Sequence, residues 1–376
     1  MPLQSPNQDL ENERLAIKYR PLLVLYPEIG DGSQRREHHH PDYGFNQPPL
    51  DQDYHPRDIR FVLDHARLPG KKERPSRDHL LDMMSENRVS HIDIIDSGGP
   101  KEIDKFWLVY AGIHNKDGNP EYQKSAYVRI VRGSERFEDY LSIQYWFAYF
   151  FDDWANVHEM DWEMASVILK KTDSAEEPIA CVFNAHIGGF RKPWKDVHKA
   201  DDAGKKNPDG SHPIAYVANG SHATYFSDYP PAFSVAAPYL GPTLQQVIRI
   251  TNISKAHMDY VPSFENGVTC FPEVKMIPRP DESGRWDGDW RWLNFRGKWG
   301  SPKQLSLMET IIARIPGLRK IHPLFQRPLR EAGPTGPNAK GLCWENTFAW
   351  INLECFDAPT TCCWIGQLGG ADINEL

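Results

Sequence analysis

The stretch LSIQYWFAYFF (141–151) is followed, after a polar interval, by WEMASVILK (162–170). Neither contains Pro or Gly, and both are enriched in aromatic or β-branched residues. A nearly continuous apolar run of this length, bounded by polar residues, reads as a strand in a protein core. Two of them flanking a short polar segment read as neighbouring core strands.

Working outward, the same character recurs in YRPLLVLY (19–26), HIDIIDS (91–97), FWLVYAG (106–112), AYVRIVR (126–132), PIACVFNAH (178–186), HPIAYVANG (212–220) and QQVIRITNI (245–253). Gly, Pro, Asn or Asp separate most of these segments. Their irregular spacing lacks the strand–helix rhythm of a parallel sheet. Helical patterns are few, at 57–66 and 303–314. The expected fold is mainly β: an antiparallel β-sandwich with long loop elaborations and a few peripheral helices. Residues 1–18 are polar and expected to be a flexible N-terminal segment. Residues 19–350 read as one elaborated domain, and 351–376 as a tail carrying Cys355, Cys362 and Cys363. Trp286, Trp290, Trp292, Trp299, Trp344, Trp350 and Trp364 gather in the C-terminal third. They read as anchors pinning long loops to the sheets rather than as a sugar-binding platform.

Composition narrows the function. With 43 Lys+Arg against 51 Asp+Glu, a net charge of −8 and no long basic run, the chain is not built to bind nucleic acid by bulk charge. Its 12 Trp, 15 Tyr and 17 Phe are too many for a disordered chain. The first residues lack the apolar core of a secretory signal, and no run of about 18 apolar residues marks a transmembrane segment. A cytoplasmic or other intracellular location is therefore expected. The six cysteines show no C-x-x-C pair and read as buried or free thiols.

The chemistry concentrates in FFDDWANVHEMDWE (150–163), which holds Asp152, Asp153, His158, Glu159, Asp161 and Glu163. On an extended chain Asp161 and Glu163 point to one face and Trp162 to the other. Carboxylates between two core strands must be exposed at a strand end, paired or coordinated, because an isolated buried charge is costly. Two carboxylates and a nearby imidazole suit Mg²⁺ or Ca²⁺, with Mn²⁺ as a further candidate, better than a structural zinc. His186, before Gly188-Gly189, and His222, after Asn219-Gly220-Ser221, end two other strand patterns and are expected to converge on the same rim. His38, His39 and His40 read as solvated loop residues. The chain has no G-x-S-x-G elbow, P-loop, dinucleotide fingerprint or H-E-x-x-H zinc motif.

The ordered series Tyr54-His55-Pro56, Gln144-Tyr145-Trp146-Phe147, Asp153-Trp154, His158 to Glu163, His186-Ile187-Gly188-Gly189, His212-Pro213, Gly220-Ser221-His222-Ala223, Gly297-Lys298-Trp299-Gly300 and Gly333 to Pro337 resembles the vacuolar protein sorting-associated protein 62 family across roughly 19–350. More distantly, the segment from His158 to Glu163 is similar to the heptapeptide region of necrosis- and ethylene-inducing-like proteins. Those are β-sandwiches holding a divalent cation at one rim. The remoter resemblance implies that His158, Asp161 and Glu163 are cation ligands, directly or through water. It also implies an upstream acidic ligand, Asp152 or Asp153, and places His186 and His222 at the same rim. The chain departs from the nearer family at Met160, where Gly is usual, at Ile187, where Glu is common, and at Asp152-Asp153, where Asn-Asp is frequent.

Three expectations follow. The first is a binding module whose rim cation takes a small molecule, a glycan or a lipid headgroup. The second is a metal-dependent enzyme, an ester or phosphoester hydrolase or a small-molecule tailoring enzyme, with His186 or His222 as acid–base. The third is a purely structural ion.

Overall fold

Both faces of the 141–151 run are buried in the computed structural model. The structure describes residues 6–26, 55–94, 122–152, 156–173, 175–185, 188–228, 261–300, 329–330, 333–351 and 363–365. In chain order its strands are β1 (Leu22–Leu25), β2 (His91–Ile92), β3 (Ser125–Arg132), β4 (Tyr140–Asp152), β5 (Asn156–Lys171), β6 (Glu176–Ala185), β7 (Gly188–Pro193) and β8 (Lys199–Ala200). There follow β9 (His212–Val217), β10 (Thr224–Tyr225), β11 (Val268–Cys270), β12 (Glu273–Met276), β13 (Lys298–Trp299), β14 (Leu329–Arg330) and β15 (Cys363–Ile365). Helices are few: Pro6–Lys18, Arg60–Leu63, Arg77–Ser85, Leu342–Glu345 and Thr347–Trp350 are the α-helical segments among the described residues. None of the described helices is long and apolar enough to cross a membrane.

The larger sheet has the order β12-β3-β4-β5-β6-β7-β15, with β14 on β5; the smaller has β10-β9-β1-β11, with β8 on β9. The central hairpin runs in register from Tyr140↔Lys170 to Asp152↔His158. Along β4 the side chains divide between two cores. Ile143, Tyr145, Phe147 and Tyr149 join Leu22–Leu25 of β1 and Ile214–Val217 of β9 in one cluster. Trp146, Ala148 and Phe150 join a second cluster with Leu80, Leu81 and Met84 of the Arg77–Ser85 helix. A strand covered on both faces leaves few positions for polar residues, which is why the run reads as nearly continuous apolar sequence, and its two exceptions are hydrogen-bonded: Ser142 to Ser166 and Gln144 to the Cys343 carbonyl.

The six C-terminal tryptophans whose side chains are described pack as anchors. Trp292 stacks on Trp162 of β5 at 5.5 Å and 11°, and Trp299 meets the same ring edge-on at 5.7 Å. Trp344 and Trp350 are buried in that cluster, with Trp286 and Trp290 packed against it. Gly300 and Gly333 permit this close approach. A Cβ on Gly300 would lie 2.6 Å from Glu159 Cβ, and one on Gly333 2.0 Å from the Trp299 carbonyl oxygen.

Several expectations are corrected. The sheets are mixed rather than antiparallel: β3 to β7 form an antiparallel meander, but β1/β9, β12/β3, β13/β2 and β14/β5 pair in parallel. Each parallel pair joins segments distant in sequence, as parallel pairing requires. Within the N-terminal segment expected to be flexible, Pro6–Lys18 is helical, Leu15 and Ala16 enter the core, and Ala16's carbonyl accepts from the Tyr145 hydroxyl at 2.9 Å. The helical pattern at 57–66 yields one turn, Arg60–Leu63. The tail contributes β15, where Trp364 pairs with Phe190. Cys181 and Cys343 are buried free thiols. The patterns at 106–112, 245–253 and 303–314, the triple histidine, Cys355 and Cys362 lie outside the described residues.

A buried carboxylate fixes the 55–63 segment to the larger sheet. Asp58 accepts from Arg60 at 2.9 Å (backbone) and 2.8 Å (guanidinium), from the Tyr127 hydroxyl at 3.0 Å, and from Lys275. Burial pushes its carboxyl upward, but the Arg60 and Lys275 contacts outweigh that and hold it below the usual carboxylate range. A depressed carboxyl contributes stability that is present above its unfolded-state pKa and lost as pH falls through the folded one. Asp58→Ala is therefore expected to cost about 3 kcal/mol at neutral pH, by leaving buried donors unpaired. Asp58→Asn should flatten the acid limb of a plot of unfolding free energy against pH. An unchanged acid limb would contradict the assignment.

Candidate metal centre

The site forms where the Asp152/His158 end of the β4/β5 hairpin meets the turn after β9. Asp152, the last residue of β4, lies opposite His158, while Asp161 and Glu163 lie opposite Tyr149 and Phe147. Trp162 points into the other core, so the face assignment made from strand periodicity holds. From the smaller sheet, the chain leaves β9 and turns back on itself: Ala218 donates to Ala223 at 2.9 Å and His222 to Ala218 at 3.2 Å. Gly220 (φ 77°) and His222 (φ 55°) are both left-handed in this turn. The result directs the His222 ring at β5.

His222 Nδ1 lies 3.1 Å from Asp161 Oδ2. Asp152, Asp161 and His222 each offer one ligand-forming atom, and these atoms all lie within 4.8 Å of one another. His158 stands beside them, with Nε2 3.6 Å from Asp152 Oδ2. Its Nδ1 is 2.7 Å from the Met160 carbonyl oxygen. A carbonyl only accepts, so Nδ1 carries the proton, and in the neutral ring Nε2 turns a lone pair toward Asp152. Asp161 Oδ1 accepts from the Trp162 backbone at 2.8 Å. His222 is fully buried, and Asp152, His158, Asp161 and Glu163 are each less than a tenth exposed.

Electrostatics follows from this burial. Burial alone pushes the Asp161 carboxyl up, but the hydrogen bond from His222 and the neighbouring His222, His158 and Lys340 outweigh it and hold the group low. The Tyr149 ring stacks on His222 with centroids 3.9 Å apart and planes 12° from parallel. Burial first, then the Glu163 and Asp161 charges, push the Tyr149 phenol well above its ordinary value, so it remains protonated. The His222 Nε2 atom is buried with no hydrogen-bond partner among the described residues.

Of the expected residues, His158, Asp161, Asp152 and His222 are brought together, and Glu163 shares the face of Asp161. Asp153 and His186 lie outside the described residues. Glu159 turns away and accepts from the Ile94 backbone at 2.9 Å. Tyr149 was not anticipated. Its signal was present, because alternation along 141–151 and antiparallel pairing place it opposite Asp161, yet a Tyr in an apolar run reads as core. The surface groove between Arg132, Glu135 and Arg136 and the 345–348 segment shares none of these residues. The chain matches no protein-family model, no curated protein and no solved structure.

Met160 has φ 60°, a left-handed conformation inside a strand and next to Asp161. Such a conformation disfavours any residue with a Cβ, by about 1–2 kcal/mol. In an ordinary strand Ala is more stable than Gly. At position 160 the order should reverse: Met160→Gly is expected to be more stable than Met160→Ala by about 1 kcal/mol, read from chemical denaturation. Ala more stable than Gly would show that the chain relaxes this backbone.

Proposed function

We propose that the chain is a soluble divalent-cation-binding protein whose ion is held by Asp152, Asp161 and His222, and whose ligand is a glycan or the headgroup of a lipid. The observation that carries this reading is the convergence of those three groups, from two sheets, to within 4.8 Å. The donor set fits a hard cation. Two adjacent ligands at about 2.1–2.2 Å on an octahedral ion stand roughly 3 Å apart, and Asp161 Oδ2 and His222 Nδ1 are 3.1 Å apart. Two carboxylates and one imidazole favour Mg²⁺ or Ca²⁺, with Mn²⁺ also suited. His158, oriented by the Met160 carbonyl, would act on the ion directly or through water.

Charge bears on the ligand. Asp152, Asp161 and Glu163 are three buried carboxylates, so one divalent ion leaves the site net negative. Neutral hydroxyls suit it better than a phosphate. With His222 among the ion's ligands its ring is not a free acid–base, which favours binding over the catalytic role considered for His222 and His186.

The sheets in this reading form a sandwich with the ion at its rim. Support comes from the single cluster to which β1 and β9 on one side and β4, β5 and β6 on the other contribute. The ordered motifs support kinship with the vacuolar protein sorting-associated protein 62 family. The left-handed Met160 adds to that support, since Gly is usual there in the family.

Elemental analysis of the full chain after loading with Mg²⁺, Ca²⁺ or Mn²⁺ should find one tightly held ion. Asp161→Ala and His222→Ala should lose it, and His158→Ala should weaken it about tenfold. A cation at about 100 times its Kd should stabilise the native chain by about 2.7 kcal/mol. Full retention of the ion by Asp161→Ala would overturn the assignment.

A further inference from the structure

Beside the ligand-forming atoms lie two buried polar atoms that the cation does not account for. His222 Nε2 and the Tyr149 hydroxyl oxygen are both buried without a hydrogen-bond partner among the described residues. They belong to the same ring stack, with centroids 3.9 Å apart and planes only 12° from parallel. With ordinary ring dimensions this stacking keeps the two atoms within roughly 3.5–6.5 Å of each other, a span that includes the gap one oxygen bridges with two ordinary hydrogen bonds.

We propose that Tyr149 is a positioning residue: its hydroxyl and His222 Nε2 together hold one oxygen atom, a water or a hydroxyl of the bound ligand, which orients the imidazole toward the cation. The inference rests on the reading of Asp152, Asp161 and His222 as cation ligands. When Nδ1 of His222 faces the ion, Nε2 carries the ring proton and needs an acceptor. A histidine that binds a metal nearly always donates its other N–H in this way, and the acceptor fixes the tautomer and the ring orientation. Among the described residues no carboxylate or carbonyl fills that place. The oxygen accepts from Nε2–H and makes its second hydrogen bond to the Tyr149 hydroxyl. An unmade hydrogen bond at a buried group is costly, and here a single bound oxygen satisfies both atoms.

The position also gives the subsite a preference. It is lined by two aromatic rings and lies next to Asp161 and Glu163, whose charges both act on the Tyr149 hydroxyl. A neutral oxygen fits there, and an anionic oxygen would be repelled.

The test compares Tyr149→Phe with Tyr145→Phe in the full chain, using Mn²⁺ alone as the probe. Tyr145 donates to the Ala16 carbonyl on the same core face and serves as the structural control. Tyr149→Phe should weaken Mn²⁺ binding about tenfold while its melting temperature in chelator stays at or above that of the native chain. Tyr145→Phe should lower the melting temperature and leave Mn²⁺ affinity unchanged. Unchanged Mn²⁺ affinity in Tyr149→Phe would overturn the positioning role while leaving the cation reading intact. If the native chain binds no Mn²⁺, Mg²⁺ or Ca²⁺, the cation reading fails and this inference fails with it. Equal loss of affinity in both variants would mark a general packing effect and would also overturn the proposal.

Discussion

A carboxylate on one sheet and an imidazole from the other meet in the interior, and much of the local structure is arranged around that contact. Asp161 comes from β5 and His222 from the turn after β9, and their facing atoms are 3.1 Å apart. Neither group is tolerable alone at such burial. Together they still leave Asp152 and Glu163, also buried, adding negative charge at the same end of the hairpin. In the proposed reading a divalent ion is what brings these groups together. The backbone is consistent with such a demand. Met160 and His222 are two of the four left-handed non-glycine residues among those described, and both adjoin the contact. Strain of this kind persists where surrounding contacts over-determine the conformation, and it collects at functional sites.

The central hairpin was legible because burial on both faces favours largely apolar sequence, which β4 supplies over 141–151 and β5 over 164–169. The face of Asp161 and Glu163 was legible because strand alternation needs no tertiary information. The parallel pairings were not, since β1/β9 and β12/β3 are chosen by packing between segments that no local pattern connects. The Pro6–Lys18 helix was hidden by its polarity: little more than Leu15 and Ala16 reaches the core, and Leu10 and Ile17 remain exposed. The Arg77–Ser85 helix did carry a readable signal. Ser76 caps it by accepting from His79 at 3.3 Å, and Leu80, Leu81 and Met84 recur at helical spacing.

Within the site, residue types were easier to read than directions. A histidine after Asn219-Gly220-Ser221 marks a strand end, but its aim toward β5 depends on two left-handed residues, Gly220 and His222, whose conformations the sequence does not reveal. Tyr149 illustrates the converse. Its face follows from alternation, while its stacking on His222 and a hydroxyl without a partner among the described residues appear only once both sheets are assembled. The motif glycines near the C-terminus have a plain steric origin. Gly300 and Gly333 lie where the Trp299 segment passes against β5 and the 333–337 turn with no room for a Cβ.

The most direct measurement is a crystal structure of the Mn²⁺-loaded chain with anomalous scattering recorded at the manganese edge. A single strong peak within about 2.0–2.4 Å of a carboxylate oxygen of Asp152, one of Asp161 and a ring nitrogen of His222 is the expected result. A map with the peak elsewhere, or with His222 and Asp161 on separate sides of the molecule, would contradict the gathering of these three groups around one ion.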